Sequence, residues 1–187
     1  MSDVPSWAPA PQKLPACGLP HDRAGRLDET ARRLDHPEWA VARRLVAEGH
    51  DVVTVPERGG RGPVPDFMVC GQPVEVKALL TVSERTDGRR ATAATVHNRL
   101  VSAVDQAGVV VVATAGSGCR AADAAAGVRS FVATRRTGRV GAVRVMGDGF
   151  DLSWQASPVR EVGRGATPAP PPEPARPRRP ERPIELP

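Results

Sequence analysis

The sequence predicts an α/β fold in which helices flank a mixed β-sheet, and three observations carry that expectation. Helix and strand signals alternate between residues 28 and 156. The run "VVVVAT" (109–114) is apolar without alternation, as a central strand covered on both faces is. The stretch "PDFMVCGQPVEVKALL" (65–80) reads as a hairpin whose two sides differ in polarity.

Each element follows from local chemistry. "AGRLDETARRL" (24–34) has the composition of a short polar helix. "HPEWAVARRLVAEGH" (36–50) is a stronger helix: Pro37 suits the first turn, Gly49 the C-terminal cap, and Val41, Ala42, Leu45 and Val46 form an apolar face. "DVVTV" (51–55) is a strand, and "PERGGRGPVP" (56–65) a Gly/Pro/Arg loop. Residues 66–70 and 74–80 form the hairpin around Gly71–Pro73, and 81–94 are loop-like. "TVHNRLVSAVDQA" (95–107) is a helix with Val96, Leu100, Ala103 and Ala107 inward, stopped by Gly108. After the buried strand, 120–137 give an Ala-rich helix, and 142–154 a strand pair turning at Gly147–Gly149.

The same reading divides the chain into a flexible leader (1–27), one domain (28–156) and a Pro/Arg-rich tail (157–187) with nine prolines from Pro168 onward. No apolar run is long enough to span a membrane, and no basic region precedes an apolar one at the N-terminus. The three cysteines are odd in number and scattered, so neither a disulfide framework nor a zinc site is expected, and a reducing cytoplasm fits. The net charge of +5 suggests nucleic acid less than it seems, because the stretch from Gly163 carries +2 and the leader +1. Of 26 basic residues only Lys13 and Lys77 are lysine. Lysine is a compact point charge with an adjustable pKa, whereas arginine is a planar fork.

Pairing parity places the charges of the hairpin. With a two-residue turn at 71–72, partner numbers sum to 143, so Asp66 faces Lys77 and Met68 faces Glu75. Asp66, Glu75 and Lys77 then share one face, and Phe67, Val69, Val74 and Val76 line the other. Two carboxylates and an ammonium on one face suit metal-assisted phosphodiester cleavage: the acids hold a hard divalent cation, Mg²⁺ by preference, and Lys77 orients water or meets charge developing on phosphorus. A plain Asp66–Lys77 ion pair on a wet face is the alternative.

P-D followed by E-x-K, after a helix and before a helix and a strand, resembles the PD-(D/E)XK phosphodiesterase superfamily. More narrowly, it resembles the CdiA-type C-terminal tRNA nuclease toxin domain of contact-dependent inhibition systems. The resembling stretches are 37–80, 95–114 and, more loosely, 143–154. The resemblance implies an α-β-β-β-α-β core and a metal-dependent nuclease. Its acid pair and lysine fall on Asp66, Glu75 and Lys77, with Glu38 as the added acid and metal ligand from the first helix. RNA, and tRNA within it, is the implied substrate, and an immunity protein the implied partner of a toxin. The superfamily also cuts DNA, and a non-catalytic nucleic-acid-binding module on the same fold remains a distinct reading.

Further residues are candidates for substrate. Gln106 precedes the buried strand, and Asn98 and Arg99 lie two turns earlier; all are equally at home on a solvent face. Arg58 and Arg61 lie among glycines that suit a phosphate clamp, or a surface loop. Arg85, Arg89 and Arg90 offer a second basic strip. His97 reads as structural, and His36 and His50 as helix-boundary residues. With 3% aromatic residues there is little surface for base stacking, so contacts to the backbone would dominate.

Overall fold

The computed structural model describes residues 7–9, 24–56, 64–134 and 137–156. Arg58, Arg61 and the tail 157–187 lie outside them. The described chain is α/β, with a mixed sheet between helices. Its strands are β1 (Trp7–Pro9), β2 (Leu27–Asp28), β3 (Val52–Thr54), β4 (Phe67–Val69), β5 (Gln72–Ala78), β6 (Val109–Ala113), β7 (Ala142–Gly147) and β8 (Phe150–Ala156). Helices α1 (His36–Ala47), α2 (Ala93–Ser102) and α3 (Ala121–Ala133) complete the order. The sheet runs β1-β8-β7-β6-β5-β4-β3-β2. Its centre, β5-β6-β7, is parallel, and the β3-β4-β5 and β7-β8 pairs are antiparallel.

Each face of the sheet carries its own core. Val41, Ala42 and Leu45 of α1 pack with Val52, Phe67, Val69, Val74, Val76 and Val111. On the other face, Val96 and Leu100 of α2 and Val128 and Phe131 of α3 pack with Val110, Val112, Val143 and Val145. Strand β6 supplies alternate valines to both cores, so its unalternated run has the double burial expected of it. Gly127 lets α3 approach α2: a Cβ there would stand 2.7 Å from the Ala93 carbonyl oxygen and 2.7 Å from Val96 Cβ.

Helix α1 starts and stops where its sequence signals lie. Asp35 caps it, accepting from the Glu38 N–H at 2.9 Å while Glu38 accepts from the Asp35 N–H at 3.1 Å. Past its end, Gly49 takes φ 91°, a conformation costly for any side chain.

Several expectations are corrected. Residues 24–34 are not a helix. Leu27–Asp28 instead pairs in parallel with Val52–Val53, and the Asp28 carboxylate accepts from the Thr30 N–H at 3.0 Å, a local bond that competes with helix. Strand β1 falls within the 1–27 leader, pairing antiparallel with Trp154–Ala156, and β2 begins at its last residue. Helix α2 ends at Ser102 rather than 107: the Ser102 hydroxyl donates to the Arg99 carbonyl at 2.8 Å, and 103–106 turn. The hairpin turns at Cys70–Gly71, with φ 49° and 81°, the left-handed pair a tight two-residue hairpin requires. Phe67 therefore pairs with Val74, and partner numbers sum to 141, two fewer than expected. The parity survives, but Asp66 stands level with Glu75 rather than Lys77. Pro73, without an N–H, lies just ahead of the Val74–Ala78 stretch that pairs with β6. Finally, Cys70 is disulfide-bonded, and Cys119 is a buried free thiol. Scattered spacing gave no sign of that bond, because proximity in the fold is not proximity in sequence.

Candidate active site

The β4–β5 ladder closes at the Phe67–Val74 pair, and beyond it the strands part. The next inward amide of β5, at Val76, donates to the Asp66 carboxylate (Oδ2, 2.7 Å) instead of to a backbone carbonyl. A side chain thus completes the ladder, and it fixes the acid at the mouth of the split.

Glu75 and Lys77 sit on β5 opposite Val110 and Val112 of β6, on the face away from α1. Phe67, Val69, Val74 and Val76 fill the α1 face, as parity predicts. Glu75 is only 2% exposed. Its Oε1 accepts from the Lys77 ammonium, and its Oε2 is buried without a hydrogen-bond partner. Such an orphaned carboxylate oxygen is costly unless something else meets it.

Glu38 reaches the group from the first turn of α1. The residue that joins it to the hairpin is Arg32, which sequence reasoning missed. Arg32 forks onto Glu38, Nη1 to Oε2 at 2.6 Å and Nη2 to Oε1 at 3.0 Å. Nη2 also meets Asp66 Oδ1 and the Asp66 carbonyl, each at 3.2 Å. Glu38 thus has two duties, capping its own helix and receiving Arg32. No signal singled Arg32 out, since it lies in a basic run that resembles any solvated turn.

The electrostatics follow from this geometry. Burial pushes the Asp66 carboxyl up from an ordinary 3.8, the Val76 N–H opposes it, and the Glu75 and Glu38 charges add to the rise; the result is about 7. Burial also raises Glu75, against the pull of Lys77. At Glu38 burial acts upward, but the Arg32 fork and the Asp35 N–H outweigh it, and its pKa falls. Between pH 3.8 and about 7 the folded chain keeps a proton on Asp66 that the unfolded chain releases. Folding therefore gains from Asp66 below that window and loses the gain as pH rises through it. In EDTA, the melting temperature should fall between about pH 5 and pH 8, and Asp66→Asn should shrink the fall. An equal fall in the variant would acquit Asp66.

Among the described residues, no group of three His, Cys, Asp or Glu side chains is spaced as a ready metal cage. Arg32 and Lys77 occupy the carboxylate oxygens that a cation would take. The orphaned Glu75 Oε2 is nonetheless the kind of ligand a hard cation meets, and Asp66 and Glu75 are the residues that would hold one.

The structure brings together Glu38, Asp66, Glu75 and Lys77. Among the described residues, no hydrogen bond or ion pair joins Gln106, Asn98 or Arg99 to them. Gln106 precedes Val109, which pairs with Val74, so it lies toward the turn end of β5 and away from Lys77. Its Oε1 and the Nδ1 of His97 are buried without partners. His50 is buried, with Nδ1 3.8 Å from Cys70 Sγ, and His36 opens α1. The 81–92 loop is tied to the β6–α3 loop through Val82 N–H to Gly116 (2.9 Å) and Ala91 N–H to Ser117 (2.8 Å). Arg85 pairs there with Asp87 at 3.3 Å.

Compared with protein-family models, curated proteins and solved structures, the chain matches none. Among the described residues, no helix is long and apolar enough to cross a membrane.

Proposed function

We propose that this domain is a divalent-metal-dependent nuclease hydrolysing phosphodiester bonds, with RNA as substrate and tRNA as the narrower class. The observation that carries the reading is the convergence of Glu38, Asp66, Glu75 and Lys77 where β4 and β5 part, with Glu75 Oε2 buried and unmet. Asp66 and Glu75 would hold a cation such as Mg²⁺, and Glu38 would join them once released from Arg32. When bound, that ion would supply Lewis-acid stabilisation of the phosphate and lower the pKa of the attacking water.

The chain's own groups do the rest. The Lys77 ammonium, held by Glu75, points a compact positive charge at oxygen charge growing on phosphorus. The Val76 amide keeps Asp66 from rotating away. Arg89 and Arg90, on an exposed loop, are available to the nucleic-acid backbone. In the toxin form of this proposal, an immunity protein covers the site. A DNA endonuclease of restriction or repair type is the runner-up, since the motif itself does not read the sugar.

The test incubates purified protein with tRNA, other RNA and duplex DNA, with Mg²⁺ or EDTA. Cleavage should require the metal, favour RNA and disappear in Asp66→Ala. If Asp66→Ala cuts like the wild type, the site is misplaced. If no substrate is cut with Mg²⁺ or Mn²⁺, the charges form an ion-pair cluster of a binding module.

A further inference from the structure

We propose that the Arg32 guanidinium is a built-in counter-cation occupying the position that a divalent ion takes between Glu38 and Asp66, so that the ion loads only as Arg32 withdraws. The inference rests on the metal-dependent reading of this site and adds to it the residue that governs loading.

The bonding pattern makes the case. Three carboxylates present six oxygens. Arg32 takes both oxygens of Glu38 and Oδ1 of Asp66, at 2.6, 3.0 and 3.2 Å. The Val76 N–H takes Asp66 Oδ2, and Lys77 takes Glu75 Oε1. Glu75 Oε2 alone is left without a hydrogen bond. A metal drawing on Asp66 Oδ1 or the Glu38 oxygens therefore competes with the guanidinium for the same carboxylates. Holding both cations on those oxygens is costly, because like charges a few ångströms apart repel strongly where water is scarce. Water is scarce here: the side chains of Arg32, Glu38 and Asp66 are 15%, 14% and 19% exposed.

The backbone around Arg32 is built for such an exchange. Residues 29–35 form neither helix nor strand. The Arg32 N–H is held by Thr54 Oγ1 at 3.3 Å, which tethers the main chain beside the sheet through a bond that does not involve the guanidinium. Glu38 keeps its capping bond from Asp35 at 3.1 Å when Arg32 leaves, so the helix start does not depend on the guanidinium.

A residue that merely positions the ligands would behave in the opposite way. Removing a positioning residue loosens metal binding, whereas removing an occupant tightens it. The sign of the change therefore separates the two roles.

The experiment is direct titration of the full chain with Mn²⁺ at neutral pH, following free Mn²⁺ by electron paramagnetic resonance, with circular dichroism as a check on folding. Arg32→Gln should bind Mn²⁺ about tenfold or more tightly than the wild type, the size of a typical site-to-site coupling. Arg32→Lys keeps the charge but loses the fork, and should fall between the two. It also decides the matter if Arg32→Gln does not fold without metal. Equal or weaker Mn²⁺ binding by the variants, with the wild type binding, overturns the role given to Arg32 and leaves the nuclease reading standing. No Mn²⁺ binding by any of the three proteins overturns both.

Discussion

Lys77→Gln is expected to lower phosphodiester cleavage by about 10²–10³-fold, the usual cost of removing one donor aimed at transition-state charge. Glutamine keeps a hydrogen-bond donor for Glu75 Oε1 but no charge. The loss should therefore appear in the rate of the chemical step more than in substrate affinity. Lys77→Arg is the sharper variant. It keeps the positive charge beside Glu75, which is almost fully buried, and so should fold like the wild type. It replaces a compact ammonium with a planar fork, and the rate should remain well below normal. In a chain that otherwise uses arginine at 24 of 26 basic positions, lysine at 77 is the substitution least expected by composition. Single-turnover cleavage measured for both variants, with melting curves alongside, decides the point. If Lys77→Gln cuts within about twofold of the wild type, well short of the loss expected for a transition-state donor, the ammonium serves only as the counter-ion of Glu75.

Arg144→Met should have the largest effect on stability. Arg144 lies on β7, facing α1, and is 1% exposed. It donates to Asp151 at 2.9 and 2.6 Å and to Glu48 at 2.6 and 2.6 Å, closing the C-terminal end of α1 onto the sheet. The nearly buried Asp151 also meets Arg44 at 2.7 Å. Burial works against the guanidinium's charge, yet the two carboxylates outweigh it and hold its pKa above normal. Removing the arginine leaves Asp151 with a half-exposed Arg44 as its remaining cation partner among the ion pairs described. Breaking a buried pair in this way costs about 3–5 kcal/mol, and the Arg44 contact argues for the lower end. Against a typical domain stability of about 5–15 kcal/mol, that is a large fraction. Urea unfolding of Arg144→Met should show it. The double variant Arg144→Met, Asp151→Leu should recover much of the loss, because both charges are then gone. A single-variant loss below about 1 kcal/mol, the scale of an exposed pair, would mean that water reaches Asp151 freely.

The two charged clusters differ in how legible they were. Parity places Asp66, Glu75 and Lys77 on one face whether the turn lies at 71–72 or, as observed, at 70–71, because a shift of two in partner sum leaves the faces unchanged. In "AVRVMGDGFDLSW" a turn over Gly147–Gly149 would set Arg144 and Asp151 on opposite faces; the observed turn is one residue shorter, Gly147 pairs with Phe150 and Met146 with Asp151, and the two charges share a face. It was not visible that Glu48, 96 positions away, would join them. Arg32 was hidden for a related reason. Its partners Glu38 and Asp66 are 6 and 34 residues distant, and no periodicity connects an irregular segment with a strand end. At residues 24–34 the helix-like composition is a weak prior, and parallel pairing of Leu27–Asp28 with β3 overrides it.

The order of the central elements, the double burial of β6 and the two-sidedness of the 65–80 hairpin are legible in the residues alone. Those properties are periodic, and periodicity is written in consecutive residues. The register of that hairpin, the strand at Trp7–Pro9, the disulfide at Cys70 and the cations that partner the carboxylates emerge from the folded chain. Each of these depends on which distant segments come within hydrogen-bond reach once the sheet has formed. The meeting of Glu38 with Asp66 is the plainest case. One comes from the first turn of α1 and the other from the residue before β4, and Arg32, from an irregular segment, bridges them.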